Sequence, residues 1–277
     1  MPGSAQYCFF IETIKFPFCV LYIMKRVPTL FPEASERNSA QGAWTMIHIQ
    51  HFEDLGRFDN DWLAARYHFS FAGYRDPARM GVGPLLVWND DLVQPGRGFD
   101  PHGHCDMEII TYVREGAISH EDHLGNRGRT EAGDVQVMSA GRGIRHSEYN
   151  MEAGPTRIFQ IWIEPSQTGL EPRWAQRRFP QGASAGALIP LASGRPGHED
   201  ALPINQDAAI LGATLARGQR VSHHLEAGRQ AYLVPARGRV RVNDVMVDAR
   251  DGVTITEEPE ITITALDDAE ILLADLP

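Results

Sequence analysis

Cysteine is scarce: Cys8, Cys19 and Cys105 are the only three in 277 residues. An odd number without regular spacing is not a disulfide framework, and it points to a reducing, cytoplasmic setting. Excess positive charge is missing too, because 26 Lys and Arg face 36 Asp and Glu, for a formal net charge of −10. That balance disfavours direct nucleic-acid binding, which runs on phosphate neutralisation, and an anionic membrane surface as partner. No apolar run is long and clean enough to span a bilayer. The most apolar stretch, 7–24, is broken by Glu12, Lys15 and Pro17, and residues 1–6 carry no basic side chain to open a signal peptide. Long amphipathic helical patterns are also lacking, a segment at Pro172–Arg178 being the one place where a short helix is expected.

What is present is ordinary globular composition, 43% hydrophobic and 22% charged, with 26 Gly and 18 Pro to make turns. Segment 27–45 reads as a polar, Pro- and Ser-containing linker, and at Met46 the character changes abruptly to alternation. The folded protein is expected to begin there, with 1–45 as an appendage or a mis-called start. Short period-2 runs then follow at Arg66–Phe71, Leu85–Asn89, Glu108–Arg114, Ala117–Asp122, Val135–Met138 and Ile158–Ile163. A second series covers Ala208–Leu215, Arg220–His224, Ala231–Val234, Arg239–Val242, Val253–Thr256, Glu260–Thr264 and Glu270–Ala274. Many short strands with regular turn signals mean an all-β sandwich or barrel. The two series repeat one another faintly, each as strand, glycine turn, strand and Gly/Asp turn, which suggests a duplicated unit. The expected division is 46–165, a linker region over 166–205, and 206–277.

Chemistry concentrates in 99–150. His102 and His104 stand two apart, so on a strand both imidazoles point to one face, and His146 and Glu148 repeat that spacing. If the two strands face each other across a barrel, three imidazoles and one carboxylate converge. Such a set suits Fe, Cu, Ni, Zn or similar first-row ions, and open coordination positions would make the site catalytic. Nearby groups have plainer readings. Gly141-Arg142-Gly143 shapes the turn that aims His146, in preference to cradling an anion. His120 and His123, flanking Asp122, read as exposed turn residues, and Cys105 as a small buried hydrophobe. His223 and His224 fall near the counterpart of His102 in the second series, but no histidine follows Gly252, so a second metal site is not expected.

The stretch FDPHGHCDMEIITYVREG, followed by DHLGNRG and AGDVQVMSAGRGIRHSE, closely resembles the signature of the pirin family within the cupin superfamily. The likeness continues more loosely from Met46 to the terminal ADLP and does not cover 1–45. It implies a bicupin: two antiparallel β-barrels of jelly-roll type packed face to face, with the metal in the first and a degenerate second barrel. Carried over by position, it makes His102, His104, His146 and Glu148 the metal ligands and leaves Glu108 a supporting or structural role. Cys105 departs from the larger, often basic residue usual there. The proline near Ser139 and the histidine near Ile144 of the general cupin motif are absent.

Bacterial pirins of this size look like quercetin 2,3-dioxygenases. The resemblance therefore implies cleavage of a flavonol heterocycle by O₂ with release of CO, at one divalent ion. Fe(II) is expected, with Cu, Ni, Mn, Co or Zn as alternatives, and the protein is expected to be a monomer. Glu148 would double as general base toward the flavonol 3-hydroxyl. Aromatic lining could come from Phe69, Phe71, Trp88, Phe159 and Trp162, for which core packing is the competing role. The alternative function is a non-catalytic, metal-dependent regulator that binds a protein partner, with the metal's redox state as the switch.

Overall fold

The computed structural model describes residues 15–16, 19–20, 47–178 and 187–277. The expectation for 1–45 lies outside the described residues, apart from two paired two-residue strands, Lys15–Phe16 and Cys19–Val20. From Ile47 onward the described residues form strands, with a single 3₁₀ turn at Phe52–Asp54. No helix among them is long and apolar enough to cross a membrane.

Each half is a two-sheet sandwich of jelly-roll type; neither closes into a continuous barrel. In the first half a seven-stranded sheet runs in the order Arg173–Arg177, Val135–Ser139, Glu108–Glu115, Thr156–Ile163, Leu85–Val93, Leu63–Tyr67, Gly56–Asp59. Opposite it lies a four-stranded sheet of Arg127–Glu131, Ala117–Asp122, Ile144–Tyr149 and Gly98–His104. The second half repeats the plan. Its larger sheet is Leu202–Pro203, Ile189–Ser193, Ala209–Leu215, Ala269–Leu276, Gln230–Arg237, Gly252–Thr256 and Ile47–Gln50, and its smaller one is Arg220–His224, Glu260–Ala265, Val240–Val242 and Val245–Val247.

Three expectations need correction. Pro172–Arg178 holds no helix: Arg173–Arg177 is an edge strand hydrogen-bonded to Val135–Ser139. Seven residues are too few for local propensity to outweigh an open sheet edge that needs a partner. Residues 166–205 are not merely a linker, since they supply that strand, Ile189–Ser193 and Leu202–Pro203. Strand Ile47–Gln50, expected in the first unit, pairs with Gly252–Thr256 in the second half. Chain order does not reveal such an exchange, since an alternating tetrapeptide carries no address for its partner.

The two large sheets pack face to face. Strand Thr156–Ile163 shows how: Phe159, Ile161 and Ile163 point away from the first sandwich and are fully buried. They join Trp88, Leu85 and Ile110 against Tyr232, Val234, Ile210 and Leu272 of the second half in one apolar cluster. At about 1.5–3 kcal/mol for each large side chain removed from water, this contact is a major source of stability. The interior of the second sandwich is filled by Leu211, Val240, Ile255, Ile263, Leu273 and their neighbours. Polar links also cross between the halves. Tyr112 donates its hydroxyl to Glu270 at 2.7 Å, Asn205 donates to Glu108 at 2.8 Å, and His68 Nδ1 meets the Tyr232 hydroxyl at 2.8 Å.

His68 is fully buried, and burial pushes its imidazole down to about 3 from an ordinary 6.5. Below pH 6.5 the unfolded chain therefore takes up a proton that the folded chain refuses. His68 alone should cost about 1.4 kcal/mol of stability per pH unit, with the loss ending near the folded value. Denaturation of metal-free protein across this range should show the fall, and ring resonances of His68 should stay those of a neutral imidazole at pH 4.5. A His68 that titrates near 6.5 in the folded protein would refute the assignment.

Candidate metal centre

The inward face of the first large sheet forms one wall of the site. Register places Gln136 beside Thr111, Thr111 beside Gln160, Gln160 beside Asn89, and Asn89 beside Tyr67, so five strands present one polar belt. Two residues along each strand, Met138, Ile109, Trp162 and Val87 form an apolar row in the same way. The period-2 pleat makes both rows, since every second residue returns to the same face.

The smaller sheet supplies the histidines. Gly98–His104 and Ile144–Tyr149 are antiparallel neighbours with His102 opposite His146. Ring centroids are 4.7 Å apart for His102 and His104, 4.5 Å for His102 and His146, and 5.0 Å for His104 and His146. A donor atom from each of the three lies within 4.8 Å of the others. A bulge between His146 and Glu148 shifts the register there, and Glu148 is turned inward and buried. Glu148 comes within the same 4.8 Å of His146 and of His120. The four residues expected from the sequence thus meet around His146, with His102 and His104 in one group and Glu148 in the other.

Burial keeps His104 and His146 neutral, as metal ligation requires. It lowers His104 to about 3, and it holds His146 far below its ordinary value with help from the neighbouring histidines. The Nε2 atom of His146 is buried without a hydrogen-bond partner, a state that bound metal would relieve. Burial also pushes Glu148 up to about 7, against hydrogen bonds from Thr111, Gln136 and Gln160 that lower it. Thr111 Oγ1 and Gln136 Nε2 donate to Oε1, and Gln160 Nε2 donates to Oε2 at 2.9 Å. This donor set fits a first-row divalent ion.

Other expected residues are placed as follows. Glu108 is buried, accepts hydrogen bonds from Ser139 and Asn205, and lies outside both donor groups. Gly141 and Gly143 have φ of 46° and 142°, and a Cβ on Gly141 would strike the Leu170 carbonyl; Arg142 pairs with Glu171. Phe69, Trp88 and Phe159 belong to the contact between halves and do not line the cavity. Trp162 stands edge-on to His104 at 5.0 Å, with Phe71 edge-on to Trp162 at 5.5 Å. Cys105 is half-buried and takes part in a disulfide, which corrects its reading as a small buried hydrophobe. In the second half, His223 is bound to the buried Asp275 at 2.9 Å.

The reading of His120 as an exposed turn residue is wrong. It lies in strand Ala117–Asp122 and is buried together with Asp122; only His123 is exposed. Alternation within the strand carried the signal, because Ile118, His120 and Asp122 share one face. His120 Nε2 meets Asp122 Oδ2 at 3.1 Å, and its ring stacks on Trp174 at 4.8 Å with 10° between the planes.

The fold and the cluster define a two-domain cupin with a histidine-rich cavity in its first half. The pirin family matches over residues 49–163, and the quercetinase C-terminal cupin domain matches over 191–276. The chain belongs to the pirin family. It is 57% identical over 230 residues to a pirin-like protein of Caulobacter vibrioides, covering 83% of this chain and 99% of the relative. It is 40% identical over 233 residues to a quercetin 2,3-dioxygenase of Escherichia coli, covering 84% and 99%. The crystal structure of the bacterial pirin YhhW from Escherichia coli, in complex with nickel(II), matches with a TM-score of 0.79 at 39% identity, again covering 84% and 99%.

Gly128 leaves room for the Trp174 ring, since a Cβ there would lie 2.1 Å from Trp174 Cη2. Gly128→Ala should displace Trp174 from His120 and cost about 1–3 kcal/mol. Urea denaturation and tryptophan fluorescence should both report it, and an unchanged midpoint would show that the stack tolerates the extra carbon.

Proposed function

We propose that this protein is a metal-dependent dioxygenase that cleaves the heterocycle of a flavonol such as quercetin. Both atoms of O₂ enter the depside product, and one ring carbon leaves as CO. His102, His104, His146 and Glu148 would hold one divalent ion, Fe(II) in our reading. The observation that carries the proposal is the convergence of three imidazoles, with His146 Nε2 buried and unpartnered among them. Relatives bearing the quercetin 2,3-dioxygenase name, together with the nickel(II) in a related pirin, support it.

When bound, the metal supplies Lewis acidity and redox capacity toward substrate and O₂. The chain's own residues do the rest. Glu148 is the carboxylate of the donor groups, and it takes the proton of the flavonol 3-hydroxyl as general base. Thr111, Gln136 and Gln160 hold its two oxygens in place, so the base is oriented before substrate arrives. Trp162 and Phe71 offer ring edges and faces beside His104 for a flat aromatic substrate. The apolar row of Met138, Ile109 and Val87 lowers the local dielectric and excludes water that would compete for the base.

The test is CO release from quercetin under air, with protein loaded separately with Fe(II), Cu(II), Ni(II) or Mn(II). Metal-dependent CO that disappears in His104→Ala is the expected result. No CO with any ion, despite stoichiometric binding, would overturn the proposal in favour of a metal-dependent regulator that binds a protein partner. Glu148→Gln should retain metal and lose roughly 10²–10⁴-fold in turnover; unchanged turnover would remove Glu148 as the base.

A further inference from the structure

His146 is gripped from behind by a chain of hydrogen bonds ending at Asp122. Asp122 Oδ1 accepts the backbone N–H groups of Leu124 and Asn126, both at 3.0 Å. Its Oδ2 accepts from the Asn126 side-chain amide at 2.9 Å and faces His120 Nε2 at 3.1 Å. On the far side of the ring, His120 Nδ1 lies 3.4 Å from His146 Nδ1. The side chains of His120 and Asp122 have no solvent access, so no water competes for these bonds.

Proton bookkeeping along this chain has one solution when both rings are neutral. An ionised carboxylate only accepts, so the proton of His120 sits on Nε2, and its Nδ1 carries a lone pair. That lone pair must receive a hydrogen, which His146 Nδ1 provides. His146 Nε2 is then left with its own lone pair, and this is the buried atom without a partner among the clustered imidazoles.

We infer that Asp122 and His120 form a positioning relay that fixes the tautomer and ring plane of His146, presenting its Nε2 lone pair to the metal. His120 is a positioning residue in this scheme and not a ligand, although its donor atom clusters with His146 and Glu148. Trp174, stacked on the ring, keeps His120 in plane for the relay. Outer partners of this kind raise the basicity of a ligating imidazole and typically change metal affinity 10–100-fold. The inference rests on the reading of His146 as a ligand.

Asp122→Asn inverts the relay without changing its shape. The two backbone N–H groups that now bind Oδ1 would hold the amide oxygen there, turning the NH₂ toward His120 Nε2 and toward Asn126, whose side-chain amide would flip to accept through its oxygen. His120 would then carry its proton on Nδ1, and His146 would have to move its own to Nε2, blocking the lone pair. Imidazole ¹⁵N spectra of the metal-free full chain should show His146 protonated on Nδ1 in the wild type and on Nε2 in Asp122→Asn. The nickel(II) Kd of the variant should rise 10–100-fold. On adding Zn(II), the Nε2 signal of His146 should shift while His120 keeps its Nε2–H pattern.

A wild-type His146 protonated on Nε2 would overturn the relay, and this reading needs no variant. So would an Asp122→Asn protein with the wild-type tautomer and affinity, or a Zn(II)-induced shift of His120 Nδ1, which would make His120 a ligand. Wild-type protein that shows the expected tautomer but binds neither ion would leave the relay standing and sink the metal reading instead.

Discussion

The molecule depends on one sheet that is buried on both faces. Strand Thr156–Ile163 turns Phe159, Ile161 and Ile163 toward the second half and Ile158, Gln160 and Trp162 into the first sandwich. A shift of one residue would drive Gln160 into the apolar contact and Phe159 into the cavity, so register is over-determined. That rigidity matters, because the polar belt holding Glu148 and the apolar row beside the histidines are both read off this register.

Docking the second half on the outer face does more than add area. Its interior is filled with aliphatic side chains, and its strands cover apolar residues the first sheet would otherwise expose. The exchange of Ile47–Gln50 into the second half's sheet and the hydrogen bonds from Asn205 to Glu108 and from Tyr112 to Glu270 tie the two sandwiches together. The cavity therefore sits on a wall that is braced from behind, which suits a site whose donor atoms must be held to fractions of an ångström.

Within that wall, burial has opposite consequences for the two kinds of donor. Imidazoles lose their protons more readily in a dry site, which leaves lone pairs available, whereas a carboxylate becomes harder to ionise. Hydrogen bonds from Thr111, Gln136 and Gln160 work against the second effect at Glu148. At Asp122, likewise, hydrogen bonds from Asn126 and His120 outweigh burial and keep its carboxyl below the ordinary value. The site is thus a balance between desolvation, which the fold imposes, and donors, which particular side chains provide.

Much of this was legible in one dimension. Spacing alone put His102 with His104 and His146 with Glu148 on shared strand faces, and alternation announced an all-β chain with two related halves, because side-chain direction follows from period 2 without knowledge of neighbours. Strand Ala117–Asp122 was legible too, and applying its alternation to His120 would have buried that residue; the turn-like composition around Asp122 hid it. Pairing was beyond the sequence. Which edge accepts Arg173–Arg177, which half owns Ile47–Gln50, whether Trp88 faces cavity or partner, and what touches the back of His146 are all decided by contacts between segments far apart in the chain. Such contacts are chosen by complementarity of whole surfaces, and no local pattern of residues encodes them.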